Sequence, residues 1–226
     1  MRRKIAAGNW KMNGTRASLS ELEALAGELS ADAPTVVICP PATLLFSANE
    51  VSGSIAIGAQ DCHQEASGAH TGDLSAPMIA DISAAYVIVG HSERREAYAE
   101  TNDAVRAKAL AAHAADLTAI ICLGESLQER EDGVTLDVIG AQLAGSVPDA
   151  ITADNTVIAY EPVWAIGTGK VPTLAQIIEV HDFIRAALIS RFGPAIAENV
   201  SLLYGGSVKA DNAATIFEAE NVDGAL

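Results

Sequence analysis

The chain has 226 residues, half of them hydrophobic, and a formal net charge of −15. That length supports one large core, and with no linker or low-complexity tract residues 1–226 read as a single domain. The acidic balance argues against nucleic acid and anionic membranes as partners, although a local group of cations can still receive an anionic small molecule.

Strand-like runs recur, each followed by a helical pattern. The start, Met1-Arg2-Arg3-Lys4, is basic, but the apolar stretch after it is too short for a signal peptide. The first run is 4–9, leading into Trp10-Lys11-Met12-Asn13-Gly14. A helix follows, with Ser18 and Glu21 as a capping box and Leu19, Leu22, Leu25 and Leu29 inward. The second strand, 35–39, is stopped by Pro40-Pro41, with a helix from about residue 43. The third is 55–60, and a long polar loop, 61–73, leads to a short helix around 77–79. The fourth, 86–90, ends at His91-Ser92-Glu93-Arg94-Arg95, before an Ala-rich helix over about 103–115. The fifth, 117–123, is followed by Gly124-Glu125 and a helix in two parts. The sixth, 156–160, is β-branched and apolar. Pro162 cannot donate to a ladder, so Glu161 is expected as its last residue. The loop 162–172 has rigid shoulders and a glycine-containing tip. Thr173 and Gln176 then form a capping box, with Leu174, Ile177, Ile178, His181, Ile184 and Leu188 in helical period. The seventh strand, 200–204, ends in Gly205-Gly206-Ser207, with a helix over roughly 211–218, and 222–226 begins an eighth. No apolar run approaches a membrane span. Cys39, Cys62 and Cys122 lack metal-ligand spacing and read as reduced thiols of a cytoplasmic protein.

Strict alternation with continuously apolar strands implies a parallel sheet covered by helices. Eight strands can close into a (β/α)8 barrel; a doubly wound sheet is the alternative, but its glycine fingerprint is missing after the first strand. In a barrel the C-terminal strand ends carry the chemistry. Asn9 and Lys11, His91 and Glu93, Glu161, and Gly205-Gly206-Ser207 all stand there. Singly, each has a bland reading: a solvated lysine, a core histidine, a Glu93 paired with Arg94 or Arg95, a plain turn. Together they suit proton abstraction beside the carbonyl of a small phosphorylated compound. Backbone N–H groups of Gly205, Gly206 and Ser207, with those near Gly167, can cradle a phosphate. Lys11 supplies positive charge, and Glu161 is the base. His91 stands where a helical turn begins, which favours a neutral imidazole that donates to a developing enolate. A loop closing over the intermediate would exclude water and prevent loss of phosphate.

These residues resemble the triosephosphate isomerase family, from Gly8 to Leu226. The resemblance rests on Gly8-Asn9-Trp10-Lys11-Met12-Asn13-Gly14, Gly90-His91-Ser92-Glu93-Arg94-Arg95, Tyr160-Glu161-Pro162-Val163-Trp164-Ala165-Ile166-Gly167-Thr168-Gly169 and Tyr204-Gly205-Gly206-Ser207. This family is itself the standard example of a glutamate base, a neutral histidine and a closing loop. The resemblance implies a TIM barrel that interconverts dihydroxyacetone phosphate and glyceraldehyde 3-phosphate without metal or cofactor. It casts Glu161 as base, His91 as electrophile, and Asn9 and Lys11 as substrate contacts. Glu93 becomes an active-site carboxylate, and Gly167 and Ser207 become phosphate ligands. It also implies a homodimer in which residues 60–73 reach into the second copy, with Thr71 at the tip near the second copy's Lys11 and Met12 at the same interface. Family members continue past the eighth strand into a phosphate-binding glycine pair and a last helix, so the resemblance implies a protein longer than the sequence ending at Leu226.

Two other functions fit parts of the pattern. A Schiff-base aldolase would use Lys11 as a desolvated nucleophile, leaving Glu161 and His91 without their best use. A non-catalytic phosphate-binding barrel would show no exchange of solvent hydrogen into dihydroxyacetone phosphate.

Overall fold

The structure, a computed structural model, describes residues 2–166, 170–209 and 212–226. The strands are β1 (Ile5–Asn9), β2 (Thr35–Cys39), β3 (Ala56–Ala59), β4 (Tyr86–Val89), β5 (Thr118–Leu123), β6 (Thr156–Tyr160), β7 (Ser201–Tyr204) and β8 (Gly224–Ala225). They pair in chain order, all parallel, and close on themselves. Closure excludes the doubly wound alternative. The helices between them are α1 (Leu19–Glu28), α2 (Leu45–Val51), α3 (Ala76–Asp81), α4 (Ser92–Tyr98), α5 (Asn102–Ala114), α6 (Leu127–Glu131), α7 (Thr135–Ser146), α8 (Leu174–Phe192), α9 (Pro194–Ala197) and α10 (Ala213–Phe217).

The strands are continuously apolar because both faces are buried. In β5, Ile120 and Cys122 face the barrel interior with Ile88, Val157 and Leu203. Their neighbours Ala119, Ile121 and Leu123 face the helices, as the two-residue period of a strand requires. β4 to β7 are buried along their whole length, whereas Ala6 of β1 is exposed.

Three local readings differ from expectation. The capping box at Ser18 and Glu21 is absent, because a one-turn 3-10 helix, Arg16–Ser18, precedes α1 and leaves Ser18 already helical, with no side-chain cap bond. Instead the Ser18 hydroxyl accepts the Thr15 N–H at 3.1 Å. Strand β6 stops at Tyr160, so Glu161 lies one residue beyond it, although its N–H still donates to Leu123 O at 2.7 Å. The segment after β4 holds two helices, separated by Ala99 in the left-handed region (φ 53°). The capping box at Thr173 and Gln176 is present, with bonds of 2.8 and 3.3 Å.

The seam between β7, β8 and β1 is pinned by one buried carboxylate. Asp223 receives Arg2 Nε at 2.8 Å, Lys4 Nζ at 3.1 Å, Arg185 Nη2 at 3.1 Å and the Leu202 N–H at 3.1 Å. Gly224 follows, and a Cβ there would lie 1.7 Å from Ile5 O, so only glycine lets the strands meet. Nearby, the fully buried His181 donates from Nδ1 to Asn221 O at 2.9 Å, and burial holds it down at about 4.

Removing one side of a buried ion pair costs about 3–5 kcal/mol. Asp223→Ala is therefore expected to lower unfolding free energy by about that amount in equilibrium urea titrations; an unchanged midpoint would count against the seam's role. His181 makes a second prediction. Its folded value lies below the ordinary 6.5, so the unfolded chain takes up the proton first. Stability should fall as pH drops from 6.5 to about 4, by about 3 kcal/mol. Thermal melts across that window should show a smaller slope for His181→Gln than for the parent chain.

Candidate active site

The C-terminal strand ends enclose a cavity of about 280 Å³ lined by Asn9, Lys11, His91, Glu161, Gly205, Gly206 and Ser207. Glu93 is exposed and lines an adjoining hollow of about 340 Å³ shared with Lys11, His91 and Met12. Thr71 is exposed, and Met12 is 96% exposed. Gly167 lies outside the described residues.

The turn after β1 sets Lys11. Its backbone takes the left-handed region (φ 52°), uncommon for a residue with a side chain. The Asn9 Oδ1 accepts the Lys11 N–H at 2.9 Å. Gln60 braces the turn from β3, donating Nε2 to Lys11 O at 2.8 Å and to Cys39 O at 2.9 Å. Lys11 Nζ lies 2.5 Å from Glu93 Oε1. Glu93 therefore pairs with Lys11, not with Arg94 or Arg95. Arg94 goes to Asp61 at 2.9 Å and Glu100 at 2.7 Å, and Arg95 to Gly90 O, Asn102 and Ser146. Lys11 is about one-third exposed, not the desolvated amine that Schiff-base chemistry needs.

His91 caps α4. Its Nδ1 accepts the Glu93 N–H at 3.3 Å, so the hydrogen-bond pattern places the ring proton on Nε2 and leaves the imidazole neutral. Nε2 meets Glu161 Oε1 at 2.9 Å. Glu161 is only 2% exposed. Its Oε2 accepts the Ser92 N–H at 3.1 Å and its Oε1 the Ser92 hydroxyl at 3.3 Å. The first-turn amides of α4 have no helical partner of their own, which frees them to hold these two side chains. Beneath the carboxylate, burial and then Glu161 itself push the Cys122 thiol well above its ordinary range. All three cysteines are buried and unpaired.

The glycine pair after β7 is only partly the anion nest read from sequence. The Gly205 N–H is donated to Tyr160 O at 2.6 Å, whereas the Gly206 and Ser207 N–H groups have no backbone acceptor among the described residues. Packing explains why both residues are glycine. A Cβ on Gly205 would lie 2.8 Å from Glu161 Cγ, and one on Gly206 2.1 Å from the Tyr204 hydroxyl.

Sequence reasoning missed Ser92, Gln60 and Glu125. Glu125 lies two residues beyond β5 and Glu161 one beyond β6, so the same strand-end rule points to it. It is fully buried. Its Oε1 accepts the Tyr160 hydroxyl at 3.1 Å and Trp164 Nε1 at 2.9 Å. Burial raises its carboxyl above the usual range, against the opposing pull of Trp164, Tyr160 and Arg130. Glu125 thus anchors Trp164 in the first shoulder of the loop 162–172.

The chain matches the profile of the family described as triosephosphate isomerase over residues 4–226. It is 63% identical to the triosephosphate isomerase of Ruegeria sp. (strain TM1040) across 100% of this chain and 92% of that protein. It is 59% identical to that of Rhizobium etli, across 99% of this chain and 89% of the relative. It also superposes on the crystal structure of triosephosphate isomerase from Bartonella henselae with a TM-score of 0.93 at 48% identity, covering 99% of this chain and 91% of the other.

The anchoring of Trp164 is open to a direct test. In a Trp10→Phe background, Glu125→Leu should shift Trp164 emission to the red as the ring loses its buried acceptor. Unchanged emission would show that Glu125 does not hold the loop.

Proposed function

Since the chain belongs to the triosephosphate isomerase family and interconverts dihydroxyacetone phosphate and D-glyceraldehyde 3-phosphate in glycolysis and gluconeogenesis, we propose that Glu161 moves the proton and His91 stabilises the oxyanion. One observation carries this reading. A neutral imidazole with its proton on Nε2 meets a buried carboxylate at 2.9 Å, at a mouth that also holds Lys11 and free backbone amides.

The steps follow from that geometry. The phosphate rests on the N–H groups of Gly206 and Ser207, joined by Gly167. Lys11 turns from Glu93 to the substrate; the pair it leaves is exposed and worth at most about 1 kcal/mol. The substrate carbonyl replaces Glu161 as acceptor of the His91 Nε2–H. Freed from Ser92, Glu161 takes a proton from the hydroxyl-bearing carbon beside the carbonyl and returns it to the former carbonyl carbon. His91 meanwhile gives its Nε2 proton to the carbonyl oxygen and takes back the proton of the neighbouring hydroxyl. A positioned base contributes roughly 10²–10⁴-fold, and a donor aimed at the oxyanion about 2.7–4 kcal/mol. Aldose and ketose have the same overall oxidation level, so the steps call for no redox cofactor. Asn9 positions Lys11 through its turn, and Glu93 orients both Lys11 and, through its backbone, His91. The loop 162–172 excludes water from the enediolate.

The assembly we infer is a cytoplasmic homodimer of single-domain subunits. Residues 60–73 of each copy, with Thr71 at the tip, enter the other's hollow beside Lys11, Met12 and Tyr98. Exposed apolar side chains support this: Met12 and Tyr98 edge that hollow, and Phe46 is likewise largely exposed. No helix among the described residues is long and apolar enough to cross a membrane, and the acidic surface does not favour anionic lipid.

Glu161→Asp keeps the charge but withdraws it by about 1 Å, a displacement that can cost about 10²-fold. Steady-state turnover should fall by about that factor with the fold intact by circular dichroism. Near-normal turnover would rule Glu161 out as the base.

A further inference from the structure

We propose that Arg95 is the positioning residue that sets the distance between His91 and Glu161. The inference rests on the roles proposed for that pair. Arg95 does not line the active-site cavity, so it meets neither substrate nor reacting atoms and acts through the backbone that carries them.

β4 turns away from β5 at Gly90, whose backbone is left-handed (φ 69°). The last paired residues of the two strands are Val89 and Ile121. Successive carbonyls of a central parallel strand face opposite neighbours. Leu123 O faces β6 and accepts the Glu161 N–H at 2.7 Å, so Cys122 O faces the place that β4 has left. Arg95 supplies the donor there. Its Nη2 donates to Cys122 O at 3.2 Å and its Nε to Gly90 O at 2.8 Å. Gly90 directly precedes His91, and Cys122 directly precedes Leu123. One planar group therefore ties the backbone beside His91 to the backbone beside the carbonyl that holds Glu161.

Two further helices fix the guanidinium. Its Nη1 donates to Asn102 Oδ1 of α5 at 2.8 Å and its Nη2 to the Ser146 hydroxyl of α7 at 3.0 Å. That hydroxyl is fully buried and donates on to Asn102 Oδ1 at 3.2 Å. Gly145 lets the two helices meet here, since a Cβ on it would lie 2.7 Å from Asn102 Cβ. Four fixed acceptors suit the rigid fork of an arginine, whereas a lysine ammonium is a point charge that cannot span them.

Arg95→Ala and Arg95→Lys test this in the purified full chain, by steady-state turnover of dihydroxyacetone phosphate. A misplacement of about 1 Å can cost about 10²-fold, so kcat should fall about tenfold or more in both variants. KM should stay within about twofold of the parent, because the groups that grip the phosphate are untouched. Arg95 lines a second hollow of about 350 Å³ with Gly90, Gly124 and Glu161, through which a small cation can enter. Millimolar guanidinium should therefore restore part of the Arg95→Ala rate, and methylammonium should not. A merely structural role predicts the opposite, since guanidinium weakens a damaged fold. Undiminished kcat in either folded variant overturns the proposal, as does KM rising in step with the loss of kcat, or no gain from guanidinium. Should Arg95→Ala not fold by circular dichroism, Arg95→Lys decides on kcat and KM alone. Glu161→Asp separates this inference from the reading beneath it. Fully active Arg95 variants beside a slow Glu161→Asp refute Arg95 only, whereas an active Glu161→Asp refutes the base assignment.

Discussion

Closure of the sheet is the constraint on which the mouth depends. β8 offers only Gly224 and Ala225, yet these pair with both β7 and β1. Without that seam the ends of β1 and β7 would be open edges, and Lys11 would not face Gly206 and Ser207 across one cavity. Two devices hold it. Gly224 lets the backbones approach more closely than any side chain would permit. Asp223, beside it, gathers cations from the chain start and from α8 while accepting the amide of Leu202. A buried ion pair is weak evidence of net stabilisation, since desolvation opposes it. What this one supplies is register, because an acceptor fixed on Leu202 sets β8 against β7.

At the mouth, four side chains already have partners at rest. Lys11 is on Glu93, His91 on Glu161, Glu161 on Ser92, and Trp164 on Glu125. A buried carboxylate left without donors would be costly, so the free enzyme needs such internal partners. In the proposed mechanism, substrate exchanges one set of hydrogen bonds for another rather than creating them against bare desolvated groups. The two fixed points are backbone amides at the start of α4. The Glu93 amide sets the imidazole tautomer and the Ser92 amide holds the Glu161 carboxylate. Only a substitution to proline would remove either, which makes the tautomer a property of the fold.

The architecture was largely legible in the sequence because strands buried on both faces must be mostly apolar, as 86–89, 118–123 and 156–160 are. The Thr173 and Gln176 box was legible because nothing precedes α8 to pre-empt it. The Ser18 and Glu21 box was misread because a 3-10 turn had already made Ser18 helical, and local sequence does not say where such a turn starts. Asn9, Lys11, His91 and Glu161 stood out because their chemistry is uncommon at strand ends. Ser92, Gln60 and Glu125 did not, because ordinary polar residues acquire meaning only from partners far along the chain. Gln60 reaches Lys11 across 49 positions and Ser92 reaches Glu161 across 69. Gly205 was misjudged for a related reason: a sequence shows a glycine, but not that its amide is already bonded to Tyr160.

An acidic protein that accepts a phosphate must do so with short-range forces. Many of its cations are committed away from the mouth. Arg106 and Arg191 meet Asp149, Lys108 and Arg94 meet Asp61 and Glu100, and Arg130 meets Glu179. At physiological salt a surface charge is largely screened beyond about 8 Å, so the global balance matters less to a bound anion than the few groups touching it. In the mechanism proposed above those groups are Lys11 and the amides of Gly206 and Ser207. Dipolar donors have a further advantage over lysine or arginine here. A fixed cation placed beside a carboxylate weakens it as a base, whereas amides aimed at the phosphate hold the substrate without adding net charge near Glu161. In the proposed mechanism the amides of Gly206 and Ser207 therefore let anion binding and proton abstraction share one small cavity.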